Sequence, residues 1–328
     1  MAHELEIVNG EAQMAYVGEV PWHGLGKKVP ADLSPEQMLK AAGLDWTVEK
    51  TPLFFETVTG SKVLTKARAL VRSTDNKLLT IVSDEWKPVQ NLEAFQFFSD
   101  FVHAGDMEMH TAGSLKEGKM VWAMAQIKSS FELFGGDKVD GYLLFSNPHE
   151  FGRSIDIRFT PVRVVCNNTL TFALEGESRS FVKINHRSQF KPEEVKEVLG
   201  IAKEKLDAYK EQAKFLGSKK YSKETIVEYF NRVFPTLSKT ITEEELKQQI
   251  RKVPISRQAE EAVAVLHTQP GARFAEGSWW QAFNTVTYLT DHKLGRSNDT
   301  RLTSSWYGQN RIKKEKALDL AVEYAEAA

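Results

Sequence analysis

A single cysteine in 328 residues excludes an intramolecular disulfide and any zinc site built on several thiolates, and it fits a reducing compartment. No apolar run is long enough to span a bilayer. The opening stretch MAHELEIVNGEAQMAYVGEV lacks a basic segment followed by an apolar one, so a soluble, cytoplasmic protein without membrane association is expected. Charge of one sign is missing as well. The 43 basic residues face 44 acidic ones, so any nucleic-acid contact has to come from a local patch. Also absent are a glycine-rich phosphate loop with its lysine, a dinucleotide glycine signature, a His-Glu pair at metalloprotease spacing and a serine elbow. The eight histidines are scattered without ligand spacing. No catalytic residue, metal site or cofactor is assigned, and an enzyme is not the preferred reading.

What is present suffices for a folded protein: 41% hydrophobic residues can fill a substantial core, and the length suits two domains. Val20 to Gly26 reads as a structured turn anchored by Trp22. Ser34 to Ala42 reads as a short helix, with Ser34 as cap and Pro35 in its first turn. The period then changes to two. Leu53–Val58, Lys62–Arg72 and Leu78–Val82 form a predicted three-stranded meander, joined by Thr59-Gly60 and Ser73-Thr74-Asp75-Asn76. Asn91 to His103 reads as one helix capped by Asn91. Strands follow near Met107–Thr111, Met120–Ile127, Gly141–Phe145 and Ser154–Val165. Met120–Ala125, apolar on both faces, belongs at a sheet centre. From Lys191 onward, charged segments with helical spacing are interrupted at Pro235, Pro254, Pro270-Gly271 and Gly295. The expected fold is α+β: antiparallel β-meanders with helices in an amino-terminal domain over 1–188, and an all-helical carboxy-terminal domain over 189–328.

The chemistry concentrates in a few places. In Lys62–Arg72, alternation puts Lys66, Arg68 and Arg72 on one face and Ala67, Ala69 and Val71 on the other, a basic stripe that suits a phosphate backbone or simply a solvated face. In the stretch YLLFSNPHEFGRSIDIRFTPVRVVCNNTLTFAL, Pro161 cannot donate to a ladder and predicts a bulge or an edge position. A one-residue bulge would bring Arg158 and Arg163 onto one polar face, where two guanidiniums suit an anion. The bland alternative pairs these arginines with Asp156 and a neighbouring strand. Asn167, Asn168 or Thr169 can cap a following helix, whose free amides beside Arg163 form a second candidate anion site. Cys166 reads as packing rather than as a nucleophile served by His149 or His186. Lys183 and Arg187 either extend the same surface or belong to an ordinary linker. In GSWWQAFNTVTYLTDH, Trp279 heads an apolar stripe; Trp280, on an adjoining polar stripe, and Trp306 are candidates for stacking bases or holding the helical part.

Several segments together resemble a known family. The MAHEL opening with PWHGLG, the run Trp86-Lys-Pro-Val-Gln-Asn91, FSNPHEFGRSIDIRFTPVRVVCNNTL and GSWWQAFNTVTYLTDH are similar to the phage/plasmid-like proteins built on domain of unknown function 932. The resemblance implies a mobile-element gene in a bacterial host cell and no established reaction. The strand-and-helix plan with a basic hairpin is also similar in architecture to phage single-strand annealing proteins, without a residue match. The expected function is single-stranded DNA or RNA binding of annealing or recombination type by a homo-oligomer. Lys66, Arg68, Arg72, Arg158, Arg163, Lys183 and Arg187 would neutralise phosphates, while Trp279, Trp280 and Trp306 stack. The alternatives are a phosphate- or nucleotide-binding enzyme using Arg163, Asn167 and Asn168, and a module that binds a host factor.

Overall fold

The computed structural model describes residues 5–21, 24–163, 168–169, 181–186, 207–235, 255–295 and 298–328. The chain forms two compact units assembled from interleaved stretches: Met1–Ser129, Gly141–Thr160 and Glu177–Lys203 make the first, Ser130–Asp140, Pro161–Gly176 and Glu204–Ala328 the second. The fold is α+β. Trp22, the expected anchor of the Val20–Gly26 turn, and residues 191–206 and 236–254 of the charged segments lie outside the described residues.

The first unit opens with a small hairpin, β1 (Ile7–Val8) and β2 (Glu11–Ala12), then β3 (Met14–Tyr16) and β4 (Lys27–Lys28). Helix α1 (Pro35–Ala41) starts where the sequence places it: Ser34 accepts from Gln37 N, the Gln37 side chain accepts from Ser34 N, and Pro35 occupies the first turn. A separate three-stranded antiparallel sheet follows, β5 (Val48–Glu56), β6 (Lys62–Arg72) and β7 (Leu78–Ser83). The helix expected over Asn91–His103 is two short ones, α2 (Asn91–Gln96) and α3 (Ser99–His103). Gln90, not Asn91, precedes the first turn, because the Asn91 side chain is committed to the interior.

The large sheet contains β8 (Met107–Leu115), β9 (Met120–Leu133), β10 (Asp137–Pro148), β11 (Ile155–Arg163), β12 (Asn168–Thr169) and β13 (Phe181–Ile184). Its order is β12-β11-β10-β9-β8-β3-β4, with β13 also on β11. Met120–Ala125 is central and buried on both sides, as its unbroken apolar run requires. In the first unit, Val121, Ala123 and Phe145 of the sheet share a core with Met38, Leu39 and Phe98 of the helical segments. Pro161 falls between the stretch of β11 that pairs β13 (Ile155–Arg158) and the stretch that pairs β12 (Val162–Arg163), so neither of those two stretches includes it.

In the second unit, a helical run over 207–218 precedes α4 (Lys223–Val233), α5 (Arg257–Val265), α6 (Trp279–Tyr288), α7 (Asn298–Tyr307) and α8 (Gln309–Glu326). Ser222, Ser256 and Ser278 cap α4, α5 and α6. The described carboxy-terminal part is mainly helical and also carries an isolated β-bridge between Lys220 and Ser278. Helix α6 is buried on every side from Trp279 to Thr287, so it lies inside the unit. It runs into a π-turn over Leu289–Lys293, and Leu294 N donates to Leu289 O at 2.7 Å.

Gly217 shows how tightly this unit is filled. A Cβ there would stand 1.9 Å from Phe134 Cζ, so Gly217→Ala is expected to destabilise by about 1–3 kcal/mol through overpacking. A lowered urea midpoint checks this. Adding Phe134→Leu should restore part of the loss.

Candidate functional site

The cations singled out by alternation mostly have carboxylate partners. Leu70 is buried in the core on the face of β6 that also carries Arg72, the reverse of the expected parity, so the end of the basic stripe points inward. Arg72 donates to Glu6 and, through Nε and Nη2, to Asp75 at 2.9 and 2.6 Å, and its guanidinium lies 5.4 Å from the Trp46 ring centroid. The hydrogen bonds to Asp75 and Glu6 raise the Arg72 pKa against the effect of burial, and the same contact lowers Asp75 to about 2. Arg72 is therefore a structural ion pair and not a phosphate contact. Arg72→Ala strands the buried Glu6 carboxylate and is expected to cost about 3–5 kcal/mol by chemical denaturation. Arg72→Lys recovers little, because a lysine cannot form the two-pronged pair.

Arg68 is held by Asp84 at 3.0 Å and donates to the Thr65 and Ala67 carbonyls. Arg158 grips Asp156, with Nη2 to Oδ2 at 2.6 Å, which is the bland alternative of the sequence reading. Lys183 is exposed on β13, in register with Asp156. Arg163 ends β11 in register with Asn168, so Asn168–Thr169 is a strand rather than a helix start, and the expected anion-binding helix terminus does not begin there. Asn167 and Arg187 lie outside the described residues. Trp279 and Trp280 are each 1% exposed and Trp306 is 7% exposed, so none offers a face to a base. Instead Trp279 stacks on Tyr324 at 5.1 Å, and Trp280 Nε1 donates to Asp137 Oδ2 at 2.9 Å. Of the predicted contacts, Lys66 is left exposed with no ion-pair partner among the described residues.

The SNPHE turn builds something else, a buried neutral polar cluster. Asn91 Nδ2 donates to the Leu44 and Trp46 carbonyls at 3.0 and 3.3 Å. Its Oδ1 is thereby left to accept, so His149 Nε2, at 2.9 Å, carries the proton of that bond. His149 Nδ1 is then an unprotonated lone pair, buried without a hydrogen-bond partner among the described residues. Asn147 Nδ2 donates to Val89 O at 2.8 Å. His186 stacks on Trp86 with centroids 4.1 Å apart, and Lys87 N donates to His186 O at 2.9 Å. Burial first, then the neighbouring His186, lowers the His149 pKa to about 3. Burial lowers His186 to about 4, against the raising effect of the Lys87 and Pro148 carbonyls. Both rings are neutral at pH 7 and have no attraction for a phosphate. The cluster ties the 44–46 segment, the 86–91 segment and the 147–149 turn together, so it is a fastening rather than an anion site.

The open chemistry is at the far half of the β5–β6 hairpin. Phe54 lies opposite Leu64, and Phe55 opposite Val63, with a register shift between Pro52 and Phe54. Phe54 is 56% and Phe55 53% exposed, Leu64 and Val63 are exposed as well, and Val58 at the turn is fully so. Lys62 and Lys66 stand exposed beside them. Sequence reasoning missed these phenylalanines, although one signal was available. Adjacent strand residues point to opposite faces, so Phe54 and Phe55 cannot both enter one core.

Residues 78–316 match the family described as Domain of unknown function (DUF932). The chain belongs to this family. No curated protein and no solved structure matches it. The matched span holds Asn91, Asn147, His149 and His186, and it begins after the β5–β6 hairpin, so DUF932 membership carries no information about Phe54, Phe55, Lys62 or Lys66. Among the described residues no group of three or more His, Cys, Asp or Glu side chains could hold a metal ion, and no helix is long and apolar enough to cross a membrane.

Proposed function

We propose that the protein binds single-stranded nucleic acid, DNA or RNA, through the far half of the β5–β6 hairpin. The observation that carries this reading is the pair of half-exposed phenylalanines flanked by Lys62 and Lys66. Exposed aromatic rings stack on bases of any sequence, and neighbouring cations track the backbone. Two lysines make a weak site, so several copies along one strand would supply the affinity that a single hairpin lacks. On this reading, which the resemblance of its motifs to phage/plasmid-like proteins supports, the activity would serve replication or recombination of a mobile element in the bacterial cytoplasm. The stacking role moves from Trp279, Trp280 and Trp306 to Phe54 and Phe55, and of the expected phosphate contacts Lys66 belongs to this hairpin, with Lys62 added.

Titration of a fluorescein-labelled oligothymidylate across a salt series tests the reading. Affinity should fall with salt by a log–log slope of about 1.4, about 0.7 for each lysine contact, and Lys66→Ala should remove half of it. The double variant Phe54→Ala/Phe55→Ala should bind at least about tenfold more weakly. Absence of binding at low salt would overturn the proposal.

A further inference from the structure

Resting on the single-strand reading, we infer that the hairpin holds two strands at once, one on each face, and that its substrates are complementary strands meeting at a junction between single strands and duplex. The pleat sends Phe54 and Leu64 to one face and Phe55 and Val63 to the other. Both pairs are open to solvent, whereas a sheet serving one ligand needs a single open face and buries the other. Each face therefore offers its own aromatic ring beside an aliphatic side chain, the fittings of a one-base platform. Val58, fully exposed at the turn, leads the hairpin as a blunt apolar tip of the kind that stacks on a terminal base pair.

Charge and area select this occupant over others. Glu56 stands opposite Lys62, so Glu56, Lys62 and Lys66 leave the far half only weakly positive. Closed duplex presents mainly phosphate and would be held poorly, while unpaired bases present the π-faces that the phenylalanines suit. A second copy of the chain is the competing occupant. Each face offers about 200 Å² of apolar side chain, against about 800 Å² per partner in a stable protein interface.

Three measurements on the full chain decide it: binding of a labelled single strand, the rate at which two complementary strands anneal, and competition by a forked duplex. The wild type should bind the single strand, speed annealing and prefer the fork over blunt duplex. Phe54→Ala and Phe55→Ala, both at exposed positions, should each leave one face to bind a lone strand, with the larger loss of affinity in Phe54→Ala because Lys62 alternates onto the Phe54–Leu64 face. Each should lose most of the annealing acceleration and the fork preference. If the wild type binds a single strand but neither speeds annealing nor prefers the fork, the two-strand inference falls and the single-strand reading stands. If it binds no single strand, both fall. Concentration-dependent self-association abolished by Phe54→Ala would assign the surface to a second copy and overturn the inference.

Discussion

Acidification from pH 7 to pH 5 is expected to remove about 4 kcal/mol of folding stability through His149 and His186. In the native protein the two pKa values lie at about 3 and about 4, while in the unfolded chain both return to about 6.5. As the pH falls past 6.5 the unfolded chain takes up two protons that the native state refuses, so the unfolded state gains. The contribution is complete above 6.5 and is lost progressively as the pH falls, to about 4 for His186 and about 3 for His149. Each histidine adds a slope of about 1.4 kcal/mol per pH unit inside that window. The carboxylate of Asp75 does not confuse the result, because its lowered pKa of about 2 acts below the usual carboxylate range. Urea melts followed by tryptophan fluorescence would report on the cluster directly, since Trp46 packs edge-on to His149 at 5.5 Å and Trp86 stacks on His186. His149→Gln should halve the slope between pH 6 and 5 while lowering stability at pH 7, because it disturbs the bond to Asn91. A stability that stays flat from pH 7 to 5 would contradict the neutral-cluster account, as would an unchanged slope in His149→Gln.

The second large effect is expected at the π-turn. Lys314 Nζ donates to Asp291 Oδ1 at 2.9 Å, and both side chains are buried. Burial lowers the Lys314 pKa, opposed by the charge and the hydrogen bond of Asp291. Asp291→Ala removes that compensation and should cost about 3–5 kcal/mol. Lys314 then sheds its proton more readily in the folded state than in the unfolded one, so the variant should recover stability as the pH rises toward 10. Lys314→Met alone should also destabilise, by leaving Asp291 without its cation. The double variant Asp291→Asn/Lys314→Met should lose less than the sum of the two single changes, because no buried charge is left alone. Strict additivity would show that the two side chains do not act as a pair. The same turn is pinned from α8 by Asn310, whose Nδ2 donates to Thr290 O at 2.7 Å and to Leu294 O at 3.1 Å. Loss of the ion pair should therefore loosen the contact of α6 with α8 before the rest of the unit.

Local signals were legible wherever the physics was local. Ser34, Ser222, Ser256 and Ser278 start helices because a serine oxygen accepts a nearby amide whatever the rest of the chain does. The three strands of the meander follow from alternation and turn residues, and the centrality of Met120–Ala125 from its unbroken apolar run. Family membership was legible as well, through the TPVRVVCNN and GSWWQAF segments inside the matched span.

The site was much less so. An arginine at alternate positions looks the same whether it faces water or a carboxylate 66 residues away, as Arg72 does with Glu6. The residue types of Asn91 and His149, 58 positions apart, gave no sign that they form one bond. Trp279, Trp280 and Trp306 have the composition of a stacking platform, and only the packing of α6 against its neighbours decides that they are core. By itself the sequence determined the fold class, the serine-capped helix starts, the central strand and the family, because each depends on neighbours along the chain. Only the tertiary structure decided which charges are paired, which histidines are neutral and which aromatics meet water. Burial and pairing are properties of distant residues brought together, and no local pattern encodes them.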